Sequence, residues 1–206
     1  MNLKSPILIT GARAPVALHM ARLLVDAGHS VTLVDNLKYP LAAASHLKIP
    51  YLQIPSFSES PIAAGNAFHD VIKKHGIDLV IPICEEVLHL GALWLREPPK
   101  ATLFAPGLAE LKQVHHKFHF IRLCEGLRLP TPRTHLITTQ NELSMHAHDA
   151  PNLVFKPVWS RFASQVLIQA KARALKQVRP TAQKSFEFSS PENYSLCPIF
   201  PPRFPP

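Results

Sequence analysis

Apolar residues in the first hundred positions fall into short β-rich runs, separated by stretches in which they recur every three or four residues. Ile7 to Thr10 is the first such run, of the kind a buried parallel strand needs. Gly11-Ala12-Arg13 makes a turn, and Pro15 follows where a helix starts, a position proline tolerates. Val16, His19, Met20, Leu23 and Leu24 then keep helical spacing until Gly28 closes the helix. Val31 to Val34 predicts a second strand ending at Asp35, Tyr51 to Ile54 a third, Leu79 to Ile83 a fourth and Thr102 to Phe104 a fifth. A helix is predicted from about Ile62 to His75, capped by Gly76, and Glu85-Glu86 opens another. Strands alternating with helices predict an α/β fold: a parallel sheet with helices on both faces.

The pattern changes after Pro106. A helical stretch runs from about Leu108 to Cys124, broken near His115 and ended by Gly126. Leu129-Pro130-Thr131-Pro132 is extended, because a residue before proline avoids the α region, and reads as a connector. A helix near Glu142 to His146 and a strand from Leu153 to Lys156 begin a second unit, with Ser164 to Ile168 pairing back as a hairpin strand. Residues 191–206 hold six prolines and no helical or strand period, and read as a disordered tail. The organisation expected is a domain over 1–106, a connector and partial subdomain over 107–183, and a proline-rich tail over 184–206.

Composition narrows the function classes. The chain has 206 residues, 47% of them hydrophobic, enough for a buried core. Its formal charge of +8 comes from scattered basic residues, with no long basic run or zinc-finger spacing, so anionic small ligands are favoured over nucleic acid. Three cysteines without a CxxC suit a reducing cytoplasm. No apolar stretch approaches the ~20 residues that span a bilayer, so a soluble protein without membrane contacts is expected.

Five sets of residues invite chemistry. Thr10-Gly11 with Asp35 follows the dinucleotide logic of a glycine turn at a helix N-terminus and an acid that binds ribose. The full fingerprint needs three glycines, however, and Ala14 and Ala17 stand nearby instead; a purely structural strand-turn-helix competes. Lys117 and Lys156 can clamp a polyphosphate as point charges, Lys156 at a strand end before Pro157; the competing reading is solvated surface lysines. His115 and His119 have metal-ligand spacing but no acidic partner, which favours surface histidines, and His146 and His148 carry less still. Glu85-Glu86 lies where ligands gather in open α/β sheets, yet carboxylates also favour helix N-termini for dipole reasons. Cys84 sits beside these carboxylates, which raise a thiol's pKa and argue against a nucleophile.

Taken in order, these segments resemble the ATP-grasp family, in particular its carbamoyl-phosphate-synthase-like members, over about residues 5–168. The resemblance rests on the strand leading to Thr10-Gly11, Val31 to Asp35, Leu79 to Glu86, Lys117 with Phe118 and Phe120, the connector Leu129 to Thr134, and Leu153-Val154-Phe155-Lys156-Pro157. It implies a Rossmann-like pre-ATP-grasp domain followed by an incomplete α+β ATP-grasp subdomain. It also implies an ATP-dependent carboxylate–amine ligase chemistry through an acyl phosphate, with magnesium. Lys117 and Lys156 would hold ATP phosphates, and Ser160, Arg161 and Ser164 would belong to the loop covering them. Two departures stand out: His116 replaces the family's usual Asp, and the loop from Ser160 to Gln165 has no glycine to let backbone N–H groups approach phosphate.

Beyond Lys156 the only acidic residues are Glu187 and Glu192, so the metal ligands the family uses are not found. Metal charge compensation is a large part of phosphoryl-transfer catalysis. The expectation is therefore an ATP-binding ligase homologue, truncated within the ATP-grasp domain and inactive or weakly active, whose sequence after about Gln183 reads like a shifted frame. Its partners would be a nucleotide, a carboxylate of unknown identity, and other copies through unpaired strand edges. The alternatives are an NAD(P)-binding Rossmann-type protein and a non-catalytic binding module.

Overall fold

The computed structural model describes residues 5–159, 166–168 and 194–198. The chain divides into two compact units, Met1–Leu108 and Ala109–Pro206.

The first unit is an α/β layer structure on a five-stranded sheet. Strands β1 (Pro6–Thr10), β2 (Ser30–Asp35), β3 (Tyr51–Gln53), β4 (Leu79–Ile81) and β5 (Thr102–Leu103) lie in the order β3-β2-β1-β4-β5. All four pairings are parallel. Helices α1 (Pro15–Asp26), α2 (Pro61–His75) and α3 (Glu86–Arg96) connect them, with a 3-10 turn at Leu41–Ala44.

Side-chain alternation sorts the core into two layers. Leu8, Val34 and Val80 face Phe68, Ile72, Leu90 and Leu93 of α2 and α3. Ile7, Ile9, Val31 and Leu33 face Ala17 and Ala21 of α1 and Ala42 of the 3-10 turn. Burial on both faces explains why β1 and β2 read as continuous apolar runs rather than alternating ones. Small alanines on α1 let that helix approach its strands closely. Gly76 adopts φ 58° and ends α2 in the left-handed conformation that glycine adopts without steric cost.

The chain moves outward from β1 to β2 and β3, then returns to the other side of β1 for β4 and β5. Connections on opposite sides of β1 and β4 open a crevice at their C-terminal ends, where open α/β sheets place ligands.

The second unit begins with two consecutive helices, α4 (Leu108–His115) and α5 (Lys117–Gly126), separated at His116. Gly126 closes α5 from inside; the left-handed residue is Arg128, φ 57°, whose position lets Leu129 N donate to Cys124 O at 2.9 Å. Next come β6 (His135–Ile137), α6 (Gln140–Met145), β7 (Leu153–Pro157), β8 (Leu167–Ile168) and β9 (Tyr194–Pro198), with β6, β9, β7 and β8 forming an antiparallel sheet in that order. Its core is Ile137, Leu143, Ala150 and Phe155. Helix α6 starts with a capping box: Thr139 Oγ1 accepts from Glu142 N at 3.2 Å, while the Glu142 carboxylate accepts from Thr139 N at 3.1 Å.

Two elements differ from the sequence reading. Strand β6 follows the extended connector at residues for which no element was expected, and β9 lies within residues read as a disordered tail. Prolines flank β9 rather than interrupt it: Tyr194 to Cys197 keep the N–H groups that a ladder needs, and Pro198 is the last position. The rest of the tail lies outside the described residues. β9 lies between β6 and β7, so the outer strands among the described residues are β6 and β8. Among the described residues no helix is long and apolar enough to cross a membrane.

Candidate functional site

The switch-point crevice of the first unit is a cavity of about 280 Å³ whose lining includes Arg13, Asp35, Ser56, Glu85, Glu86 and His89. Asp35 ends β2 as expected, but its side chain is fully buried. Oδ2 accepts from Arg13 N at 2.8 Å and from Arg13 Nε at 3.1 Å, and Oδ1 accepts from Asn36 N at 2.7 Å. The carboxylate thus organises the loop after β1 instead of presenting itself to a ribose.

Glu86 occupies the space next to Gly11. Thr10 Oγ1 donates to Glu86 Oε1 at 2.7 Å, and Ile83 N donates to Thr10 Oγ1 at 3.3 Å, tying β1 to the end of β4. Gly11 has φ 68°, and a Cβ there would meet Glu86 Oε1 at 2.9 Å and Cys84 Sγ at 3.0 Å. A carboxylate at the turn into α1 opposes the phosphate that a dinucleotide would bring there. Burial and the neighbouring Asp35 raise the Tyr51 pKa to about 12, and burial lowers that of His89.

The second unit brings Lys117 and Lys156 together. Lys117 is the first residue of α5, and Lys156 lies in β7. Lys117 N donates to Val158 O at 3.1 Å, which joins the start of the helix to the exit of the strand. Burial, and then the ammonium of Lys156, lowers the Lys117 pKa. Two like charges held within electrostatic reach favour an anion between them.

His116 sits at the break between the helices and is 2% exposed. Its Nδ1 accepts from His119 N at 3.2 Å, so the imidazole is the N-cap of α5. Helix N-caps use a side-chain acceptor, usually Ser, Thr, Asp or Asn. The ring therefore takes over the capping task that an Asp at this position would perform. Burial, then His119, lowers its pKa to about 4, with Lys117 adding a smaller push in the same direction. The His116 ring stacks on His119 at 3.8 Å between centroids and meets Trp159 edge to face at 5.1 Å.

The remaining expected site residues separate clearly. Ser160, Arg161 and Ser164 lie outside the described residues. His115 ends α4 and His119 belongs to α5, so the i, i+4 pair does not share one helix. His146 faces His135 at 5.7 Å, and His148 is almost fully exposed beside Asp149. Among the described residues no group of three or more His, Cys, Asp or Glu is arranged to hold a metal. Sequence reasoning missed His116 as a cap and Trp159 as its partner. The available signal was the His-for-Asp departure at a helix start.

Comparison with solved structures places the fold. The chain matches an N5-carboxyaminoimidazole synthetase from Staphylococcus aureus, solved in complex with ADP, at 10% identity and TM-score 0.68, covering 95% of this chain and 47% of that one. Over the part it spans, the chain has the fold of the ATP-grasp enzymes.

Two more ATP-grasp structures agree. An L-amino acid ligase from Bacillus licheniformis matches at 14% identity and TM-score 0.66, over 93% of this chain and 43% of that one. The biotin carboxylase domain of the 2-oxoglutarate carboxylase from Hydrogenobacter thermophilus, solved with MgADP, ADP and bicarbonate, matches at 14% and 0.61, over 84% and 39%. The chain thus spans less than half of each ATP-grasp chain. A model of the NAD dependent epimerase/dehydratase family matches residues 7–95, the segment that runs from β1 through most of α3. A search of curated proteins gives no match.

Proposed function

We propose that this protein binds the phosphates of ATP between Lys117 and Lys156, as a homologue of the ATP-grasp carboxylate–amine ligases. The observation that carries the reading is the joint between α5 and β7: a backbone hydrogen bond ties the start of the helix to the exit of the strand, where Lys117 feels the charge of Lys156. The burial that lowers the Lys117 pKa also strengthens its pull on an anion, because the local dielectric is low. Solved neighbours with ADP and MgADP support a nucleotide of this type.

In the proposed organisation, residues 1–106 form the pre-ATP-grasp domain, and residues 107–183 supply the lysines and the covering loop with Ser160, Arg161 and Ser164. Magnesium would supply charge compensation at the transferring phosphoryl group. The described residues offer it no carboxylate cluster, and Glu187 and Glu192 are the acids that follow Lys156. Little or no ligase activity of this chain is the corresponding expectation, with the carboxylate bound by residues not yet assigned.

The competing NAD(P) reading draws on the match over residues 7–95. The saturated Asp35 and the position of Glu86 argue against it. Parallel calorimetric titrations with MgATP and with NAD(P) separate the two. Binding of MgATP alone supports the proposal. Saturable NAD(P) binding lost in Asp35→Ala, with no response to ATP, refutes it.

A further inference from the structure

We infer that His116 is a positioning residue of the two-lysine site: its ring caps α5 and, packed on Trp159, sets the spacing of Lys117 and Lys156. The inference rests on reading those lysines as an anion site.

His116 belongs to the hydrogen-bond ladders of both helices. Its N–H donates to Lys112 O at 3.0 Å, closing α4, and its carbonyl accepts from Phe120 N at 2.9 Å, opening α5. Its ψ of 107° takes the chain out of the helical region between them. Because Nδ1 accepts the His119 N–H, the ring carries its proton on Nε2 and is neutral.

The same residue flanks the joint to β7. Lys117 N bonds to Val158 O, and the residues on the outer side of that bond, His116 and Trp159, meet edge to face at an interplanar angle of 87°. The ring contact adds a second point of attachment beside that hydrogen bond, and two points restrain the orientation of α5 more than either does alone. Lys156 precedes Val158 by two positions, with the fixed φ of Pro157 between them, so the ring contact also fixes where Lys156 leaves the strand.

The choice of a ring over a carboxylate has an electrostatic consequence. An aspartate cap would place a negative charge one residue from Lys117 and compete with any anion. A neutral imidazole caps the helix without that competition. The charged and titratable groups that act on the ring are His119 and Lys117 of α5, with Lys112 of α4 bonded to the same residue through the backbone and Lys156 of β7 acting on Lys117.

The test is calorimetric titration of inorganic triphosphate into the full chain, with far-UV circular dichroism as a control for folding. The proteins are wild type, His116→Ala, His116→Asn, Trp159→Leu and Lys156→Ala. Lys156→Ala should weaken binding at least tenfold, which checks the underlying reading. His116→Ala and Trp159→Leu should each weaken it roughly tenfold, the scale of one lost helix cap. His116→Asn, which restores a neutral cap acceptor, should recover at least threefold of the His116→Ala loss. If Lys156→Ala weakens binding while His116→Ala and Trp159→Leu keep wild-type affinity, the positioning role is overturned and the lysine site stands. Equal losses in the Ala and Asn variants overturn the capping role. If His116→Ala does not fold, Trp159→Leu, which keeps the cap, decides by the same criterion. Absence of binding to wild type, or unchanged affinity in Lys156→Ala, overturns both the site and the inference.

Discussion

Acid should loosen the second unit through one side chain. His116 is 2% exposed and its pKa is lowered from 6.5 to about 4, by burial first and by His119 second. The unfolded chain binds a proton near pH 6.5, whereas the folded chain resists it until about pH 4. Between those values the unfolded state holds more protons, so stability falls as the pH drops through that window. Above pH 7 the group contributes no pH dependence. Linkage gives a loss of about 2 kcal/mol by pH 5 and about 3 kcal/mol by pH 4. The assay is urea denaturation followed by Trp159 fluorescence in a Trp94→Phe background, comparing His116 with His116→Asn. Asparagine caps the helix and does not titrate, so subtracting the two profiles cancels the histidines that lie away from position 116 and leaves His116 with its stacked neighbour His119. The wild type should lose about 2 kcal/mol more than His116→Asn between pH 7 and pH 5. Parallel profiles would refute the reasoning, because they would mean that folding leaves the ring's affinity for a proton unchanged.

Three further outcomes follow from the geometry. Gly11→Ala forces a side chain into a left-handed conformation and into Glu86, and should cost about 2–4 kcal/mol in chemical denaturation of the first unit. Thr139→Ala removes one side of the α6 capping box and should cost about 1 kcal/mol, whereas Thr139→Ser should stay near wild type. Lys156→Ala should raise the Lys117 pKa, since it removes a like charge while leaving the burial in place; NMR titration of the Lys117 side chain reads this directly, and an unchanged value would place the two ammonium groups too far apart to interact.

Much of the fold was legible because its strands are buried on both faces. Ile7-Leu8-Ile9 and Val31 to Val34 announce themselves as apolar runs, and the parallel α/β sheet follows from their alternation with helices. Short or half-exposed elements left weaker traces. β6 has three residues, of which only Ile137 is fully buried, too few for a period to emerge. β9 was masked by the prolines around it. Gly126 pointed to the end of α5, but the left-handed position fell to Arg128, a residue with no special propensity for it.

The site divides along similar lines. Lys117 and Lys156 were legible by their place relative to a helix start and a strand end. Asp35 was legible as a residue of interest, with ribose binding and a structural role both open, because its partner Arg13 lies 22 positions away and reaches it only in the folded chain. Glu86 and Thr10 meet across 76 positions, a contact that no local pattern announces. His116 was visible as a departure from the family pattern, but its meaning as a cap required the coordinates of His119.

The central claim is that two lysines on separate elements hold one nucleotide phosphate chain. Calorimetric titration of MgATP into wild type and Lys156→Ala tests it most directly. Saturable binding to the wild type, weakened at least tenfold by Lys156→Ala with an unchanged fold, is the predicted result. Equal affinity in the two proteins would contradict the claim, because the nucleotide would then be held somewhere other than between Lys117 and Lys156.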